Sequence, residues 1–420
     1  MATIRPLNTV RYDLGTVGSL DAVTAPPYDV IDGPMRAELL AKSPLNVVEI
    51  DLPEDTGGGD PYLHAQTVWE NWLEQGVLVR EREPAIWALT QDYRAPDGRD
   101  YTRHGFFAAV KVEDYGPGRI RPHERTHPGP KIDRLNLTRA TRANLSPIFS
   151  LFPDFGDQAW EALEPVTAEE PFGTATDADG TVNKLWRVSD PGVIEAVTGA
   201  IADGELLIAD GHHRYETARV YAEEIGGEGP HQWVLMFLCS LSDPGLTIFP
   251  THRLVSGLTD GKREALRSAI EELFDVSDIP EEELQPASNV PGIVFGYLDA
   301  HHRKPQRLTL RDHGPVEQAL PDKPAPYRRL DTAVLETLIL KGALGMSGDD
   351  IDHKNGLDYS KNTQDARAAI EDGRAEAVFF MRPIPVEDVR EVAAAGESMP
   401  PKSTYFFPKI PTGLVFNPLE

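Results

Sequence analysis

Apolar positions recur along the chain with two different periods, and the periods mark out the elements. Residues 62–76, YLHAQTVWENWLEQG, place Leu63, Val68, Trp69, Trp72 and Leu73 near helical spacing, with Gly76 as the stop. The three glycines of PEDTGGGDP (53–61) just before it mark a surface loop. AIWALTQDY (85–93) and TRHGFFAAVKVEDY (102–115) read as two strands joined by the turn APDGRD, a hairpin at a sheet edge leading into the first polar motif. From about residue 185, helix and strand alternate. Asp190 and Pro191 open a helix through VIEAVTGAIAD, LLIAD (206–210) is a short strand, and RYETARVYAEEIG is a helix closed by Gly226. WVLMFLCSL (233–241) is apolar on both faces, the pattern of a buried strand.

Residues 261–320 repeat the mixture on a smaller scale, with KREALRSAIEELF as helix, IVFGYL and QRLTLR as strands and the acidic IPEEELQP as a solvated loop. Helices follow at LDTAVLETLILKGAL, TQDARAAIEDG and PVEDVREVAAAG, with a strand at EAVFFM, before the tail MPPKSTYFFPKIPTGLVF. The expected class is α/β of the mixed α+β kind. The expected division is an α/β segment at 1–80, a core domain at 81–258, a small α+β unit at 259–325 and a C-terminal segment at 326–420.

Composition narrows the function. The 420 residues carry 41 basic and 67 acidic side chains, a net charge of −26, which would repel the phosphate backbone of DNA or RNA. A small anion in a locally basic pocket is compatible with it. No run of about 18 apolar residues is present to span a membrane. The opening MATIRPLNTVRYDLG shows no apolar signal core, so a cytoplasmic protein is expected. The single Cys239 offers neither a disulfide nor a cysteine zinc site, and its apolar surroundings make it core filler.

The sharpest local signal is LLIADGHHRYETA (206–218). A strand ends at Asp210; Gly211 lets the backbone turn and approach a ligand; His212, His213 and Arg214 open a helix. The first helical N–H groups have no intrahelical partner and the helix dipole favours an anion there. Gly211, His212, Arg214 and Tyr215 are the expected phosphate contacts. Asp210 is expected to hold a metal or accept a proton, with His213 in the catalytic set; the plainer reading makes Asp210 only an N-cap.

His123-Glu124-Arg125-Thr126-His127 matches the zinc-peptidase pattern, but that chemistry needs both histidines on one helical face. Pro122 precedes the segment, and Pro128, which follows, biases His127 away from helical angles, so a polar loop carrying Glu124 as a base is expected. Lys131, Arg134, Arg139 and Arg142 come next, a basic cluster in an acidic chain that would draw an anionic substrate; solvated charges are the plainer account. His123, Thr126, Lys131 and Arg134 join Tyr28 and Asp29 of TAPPYDVI as the expected substrate contacts. In MPPKSTYFFPK, Lys402, Ser403, Thr404 and Lys409 among prolines and aromatics suit a phosphate held on a stiff strand, or an edge strand guarded by lysine. His252-Arg253 in THRLV is a weaker candidate, and His301-His302-Arg303 reads as a hairpin turn. No G-x-x-x-x-G-K-[ST] loop and no kinase-type G-x-G-x-x-G occurs.

ADGHHR after a strand resembles the phosphate-binding turn of the ParB/sulfiredoxin superfamily, which includes the free L-serine kinases. The wider chain resembles the prokaryotic domain of unknown function 1015 family, on TAPPYDVI (24–31), RPHERTHPGPKIDR and ATRANLSPIF (121–149), ADGHHRYETA (209–218) and MPPKSTYFFPK (399–409). The resemblance implies a ParB/sulfiredoxin-like phosphate-binding core with an added small α+β domain, and phosphoryl-transfer chemistry. The expectation is therefore a small-molecule kinase using Mg²⁺ with ATP, ADP or pyrophosphate, acting on a hydroxyl of a small metabolite, free L-serine first. Its ligand is a small anion, with no nucleic acid or membrane partner. The rivals are a non-catalytic nucleotide-binding switch and a metal-dependent hydrolase.

Overall fold

The computed structural model describes residues 2–54, 58–96, 98–124, 126, 128–154, 156–202 and 204–420. The chain divides into two compact units, one made of Met1–Pro122, Thr126–Thr247 and Pro408–Glu420, the other of His123–Arg125 and Ile248–Phe407. Segments 1–80 and 81–258 of the sequence reading thus fall almost wholly in the first unit and 259–325 in the second. The last segment is shared, passing from one to the other after Phe407.

The first unit is built on a nine-stranded mixed sheet. Its order is Ile120–Arg121, Leu206–Asp210, Ile148–Phe152, Trp233–Ser240, Asp100–Lys111, Ile86–Arg94, Val182–Val188 and Gly173–Thr176, with Ile4–Arg5 also paired to Asp100–Lys111. Trp233–Ser240 runs parallel to Ile148–Phe152 and antiparallel to Asp100–Lys111. The expected hairpin is present, with Tyr93 opposite Tyr101. It lies inside the sheet, however, and not at an edge. Alternate residues on both faces are apolar and buried, Ala88 and Phe106 on one and Leu89 and Phe107 on the other, so each strand needs a neighbour on both sides.

Helices Gln158–Thr167 and Pro191–Ile201 place Leu163, Val197 and Ile201 in the same core as Ile86, Phe106, Ile208 and Met236. Asp190 caps the second of these as its spacing predicts, accepting from the N–H groups of Gly192 and Val193. Helix Pro61–Glu74 buries Ala65, Trp69 and Trp72. Its inward face is thus i, i+4, i+7 from Ala65, and Leu63, expected on that face, is 59% exposed. The tail 408–420 completes the unit, with Phe416 packed edge-on against Trp69 and Asn417 paired with Asn144.

The second unit carries a six-stranded sheet with every pairing antiparallel. The order is Phe274–Asp278, Gln306–Leu310, Val294–Asp299, Ala377–Phe380, His252–Val255 and Leu357–Ser360. The strands of the small α+β segment therefore share a sheet with strands far along the chain. Helix Asp260–Leu273, a π-helical turn at Leu335–Ala343 and helix Thr363–Glu371 complete the packing. The acidic segment expected as a loop includes a 3-10 turn at Glu281–Glu283 followed by the buried Leu284. No helix among the described residues is long and apolar enough to cross a membrane.

Candidate functional site

The corner at residues 210–214 forms as its sequence predicts, with one difference. The strand ends at Asp210 and the helix His212–Ile225 begins after Gly211, which is itself the N-cap at φ 96° and ψ 28°. An N-cap role for Asp210 is therefore replaced by a different one. The pairing with Ile148–Phe152 shifts register between Ile208 and Asp210, an irregularity of the kind that re-aims a side chain at the end of a strand. A Cβ at residue 211 would stand 2.9 Å from Arg214 Nε, so positive φ and close approach both require glycine.

Asp210 is held between two cations. Lys409 Nζ donates to its Oδ1 at 2.6 Å and Arg214 Nη2 to its Oδ2 at 2.8 Å. Burial alone would push the Asp210 carboxyl up, but Lys409 and Arg214, with His212 nearby, hold it far below the usual carboxylate range. The corner thus joins residues almost 200 positions apart, and its charge sum (two cations, one carboxylate) is positive.

The other side chains expected to meet phosphate divide. Arg214 is already engaged by the protein, donating from Nη1 to Ser146 Oγ at 3.0 Å and to the Pro147 carbonyl. Tyr215 is fully buried on the core side of the helix. Its hydroxyl donates to the Glu113 carbonyl at 2.8 Å and accepts from the Glu113 N–H. That is an anchor for the helix, not a ligand contact. His212 is buried and His213 half-buried.

Tyr28 and Arg134 do come together. The Arg134 guanidinium stacks 4.1 Å over the Tyr28 ring and donates to Asp51 Oδ1 at 3.2 Å. Arg134 lies on helix Pro128–Thr141, so the basic cluster is helical. Arg139 and Arg142 on the same segment pair with Glu224 and Glu420 at the surface. Lys131 and Thr126 are half-buried and Asp29 is exposed.

His123, Glu124 and the 402–404 triplet belong to the second unit, where two motifs 280 residues apart meet. His123 Nε2 lies 2.9 Å from Thr404 Oγ1, which in turn donates to Glu124 Oε1 at 3.4 Å, and the His123 carbonyl accepts from the Met399 N–H. Neither His123 nor Glu124 is helical, so the zinc-peptidase arrangement, which needs a helix turn, is not formed; Arg125 and His127 lie outside the described residues. Lys402 is exposed in a turn at φ 56° and not on a strand. Ser403 is buried, hydrogen-bonded to the Pro400 carbonyl at 2.7 Å and to Thr332, so its hydroxyl shapes the turn. His252 is core: burial, then Arg253, lowers it to about 3, and its Nδ1 accepts from the Met381 N–H.

A family model described as a protein of unknown function (DUF1015) matches residues 4–333. The chain belongs to that family. No curated protein matches it. Among solved structures, this DUF1015 protein is similar to a conserved hypothetical protein from Pyrococcus furiosus, at 17% identity and a TM-score of 0.34 over 70% of this chain and 92% of the other. It is similar to a free serine kinase in complex with AMP, at 16% identity and a TM-score of 0.36, over 70% and 88%. A third is SbnI with C-terminal truncation from Staphylococcus aureus, at 9% identity and a TM-score of 0.36, over 73% and 85%. These values are too low to transfer an activity.

In this DUF1015 protein the donor set at Asp210 does not fit a metal ion. Both carboxylate oxygens face cations, and among the described residues no group of three or more His, Cys, Asp or Glu side chains is placed to hold one. Two buried charges escaped the sequence reading. Arg103 is fully buried, lies 4.6 Å over the Phe149 ring, and donates from Nε to Gln91 Oε1 at 3.0 Å and from Nη2 to the Pro408 carbonyl at 2.6 Å. Phe149 is the register partner of Asp210, so this cation stands behind the corner. Asp51 ends the apolar run NVVEID, and a charge closing such a run was the available signal.

Proposed function

We propose that this protein is a small-molecule kinase whose donor phosphates rest on the corner at residues 210–214. The single observation that supports the reading is the Asp210 carboxylate clamped by Lys409 and Arg214 at the start of a 14-residue helix. An arriving phosphate meets first-turn N–H groups and the positive end of the helix dipole. Lys409, Arg214 and the buried Arg103 add fixed positive charge, which is the main catalytic requirement of phosphoryl transfer. Asp210 then serves as the counter-ion that keeps both cations in place before the donor binds. Because its carboxyl is held low, it is a weak proton acceptor, and Glu124 is the remaining acceptor named by the sequence. The donor is a nucleotide or pyrophosphate, and free L-serine is the first acceptor to try, by the family resemblance of the DGHHR turn.

A phosphorus NMR screen of free amino acids against ATP, ADP and pyrophosphate tests this. A new phosphomonoester signal with at least one pair is expected. Donor binding with no product across the screen would favour a nucleotide-binding switch. Stoichiometric zinc in the purified protein would favour a hydrolase. Absence of any donor binding would overturn the phosphate corner itself.

A further inference from the structure

Beside the corner, within the first unit, lies a cavity of about 40 Å³ bounded in part by Asp51, Arg134, Thr138, Ser146, Arg214 and Thr217. Asp51, Arg134 and Thr217 are only 3%, 5% and 4% exposed. Asp51 Oδ2, Thr217 Oγ1 and Arg134 Nη2 are buried without a hydrogen-bond partner. Arg134 Nη2 touches Asp133 Oδ2 at 2.6 Å, outside hydrogen-bond alignment, while Asp51 Oδ1 is engaged by Arg134 Nη1. Buried polar atoms of native proteins are almost always satisfied, so this cluster calls for an occupant.

The lining chemistry selects it. Asp51 Oδ2 needs a donor, Arg134 offers donors, and Thr217 takes either role. A bare anion is repelled by Asp51, and a metal cation by Arg134 and Arg214. An O–H group donates and accepts at one atom and suits all three. The volume holds about one to three waters or a hydroxyl with its carbon. Arg214 joins the cavity to the corner, since it lines the first and pairs with Asp210 in the second.

We propose that this cavity seats the hydroxyl of the phosphoryl acceptor and that Asp51 takes its proton. The proposal rests on the kinase reading. In the step, the acceptor O–H bond breaks and its proton passes to Asp51 Oδ2. The oxygen's electron pair forms the new O–P bond to the terminal phosphorus of the nucleotide or pyrophosphate. The bond from that phosphorus to the bridging oxygen breaks, and the leaving phosphate departs with that pair. Burial raises the Asp51 carboxyl above its ordinary value against the pull of Arg134 and Arg214, opposite in direction to Asp210.

Two measurements test it. In a crystal of the wild-type protein soaked in methanol, the methanol oxygen is expected within hydrogen-bond reach of Asp51 Oδ2 and Thr217 Oγ1. Water alone at that position, unchanged by the soak, overturns the seat. With L-serine and the donor found by the screen, Asp51→Asn should lower turnover a hundredfold or more while pyrophosphate binding by calorimetry stays within about twofold of wild type. Wild-type turnover in D51N, or loss of transfer in Glu124→Gln with D51N active, overturns the assignment of the base. A wild-type protein that seats methanol but forms no product with any pair counts against the kinase reading and not against the seat.

Discussion

The three letters His-His-Arg occur twice, at 212–214 and at 301–303, and the molecule treats them in opposite ways. At the first, a glycine in the left-handed region ends a buried strand and starts a 14-residue helix, and Arg214 is pulled onto Asp210. At the second, the letters fall in the reversal between the strands Val294–Asp299 and Gln306–Leu310. There Asp299 Oδ1 accepts from the N–H groups of His301 and His302, and Arg303 itself takes φ 54°. Each copy has an aspartate before it, but the first is two residues upstream of His212 with glycine between, and the second two upstream of His301 with alanine. The glycine lets the chain continue into a helix with the carboxylate facing cations. Without it, the carboxylate folds back onto its own backbone as a turn. Only the first copy gathers charge from distant parts of the chain.

The comparison breaks most readily at the carboxylates. Asp210→Asn leaves Lys409 and Arg214 facing each other and should cost about 3 kcal/mol at pH 7 by urea unfolding. Asp299→Asn keeps a turn-capping oxygen and should change stability by less than about 0.5 kcal/mol. The pH dependence carries a sign. Asp210 is held below its ordinary value in the folded chain, so its contribution is complete above the unfolded value of about 3.9 and drains away as the pH falls below it. D210N should therefore flatten the acid limb of a stability profile, and D299N should leave it as it is.

Next in size is anion affinity. Lys409→Met removes one charge-assisted contact, worth about 1.5–3 kcal/mol, and should weaken pyrophosphate binding at least tenfold by calorimetry. The double variant H301A/H302A should bind pyrophosphate as wild type does. Backbone conformation follows. Gly211→Ala places a Cβ at φ 96° against Arg214 and should cost about 1–2 kcal/mol. Arg303→Gly relieves a left-handed non-glycine residue and should stay within about 0.5 kcal/mol of wild type. The smallest effect belongs to His302→Ala, whose partner contact with Asp299 is on the surface; a shift below about 0.5 kcal/mol is expected in thermal unfolding.

Legibility in the sequence followed the range of the interactions. Helices with a capping residue and a terminating glycine, such as Pro191–Ile201 and His212–Ile225, were readable because their signals lie within a few residues. The corner was readable for the same reason. Leu63 was misplaced because spacing alone left the centre of the buried stripe one residue pair out of phase. Tyr215 and Ser403 were read as ligand contacts because a polar tip looks the same whether it meets a ligand or a backbone carbonyl.

By itself, the sequence determined the mixed α/β class, the order of most elements, and the strand-glycine-helix turn, since periodicity, caps and a left-handed glycine act locally along the chain. Only the tertiary structure decided that Asp210 neutralises Lys409 and Arg214, that His123 and Glu124 meet Thr404, and that Asp51 and Thr217 turn unsatisfied atoms toward one small cavity. Charge pairing and burial depend on which distant segments are packed together. A side chain's letter states what it can bond, and the fold around it states what is within reach.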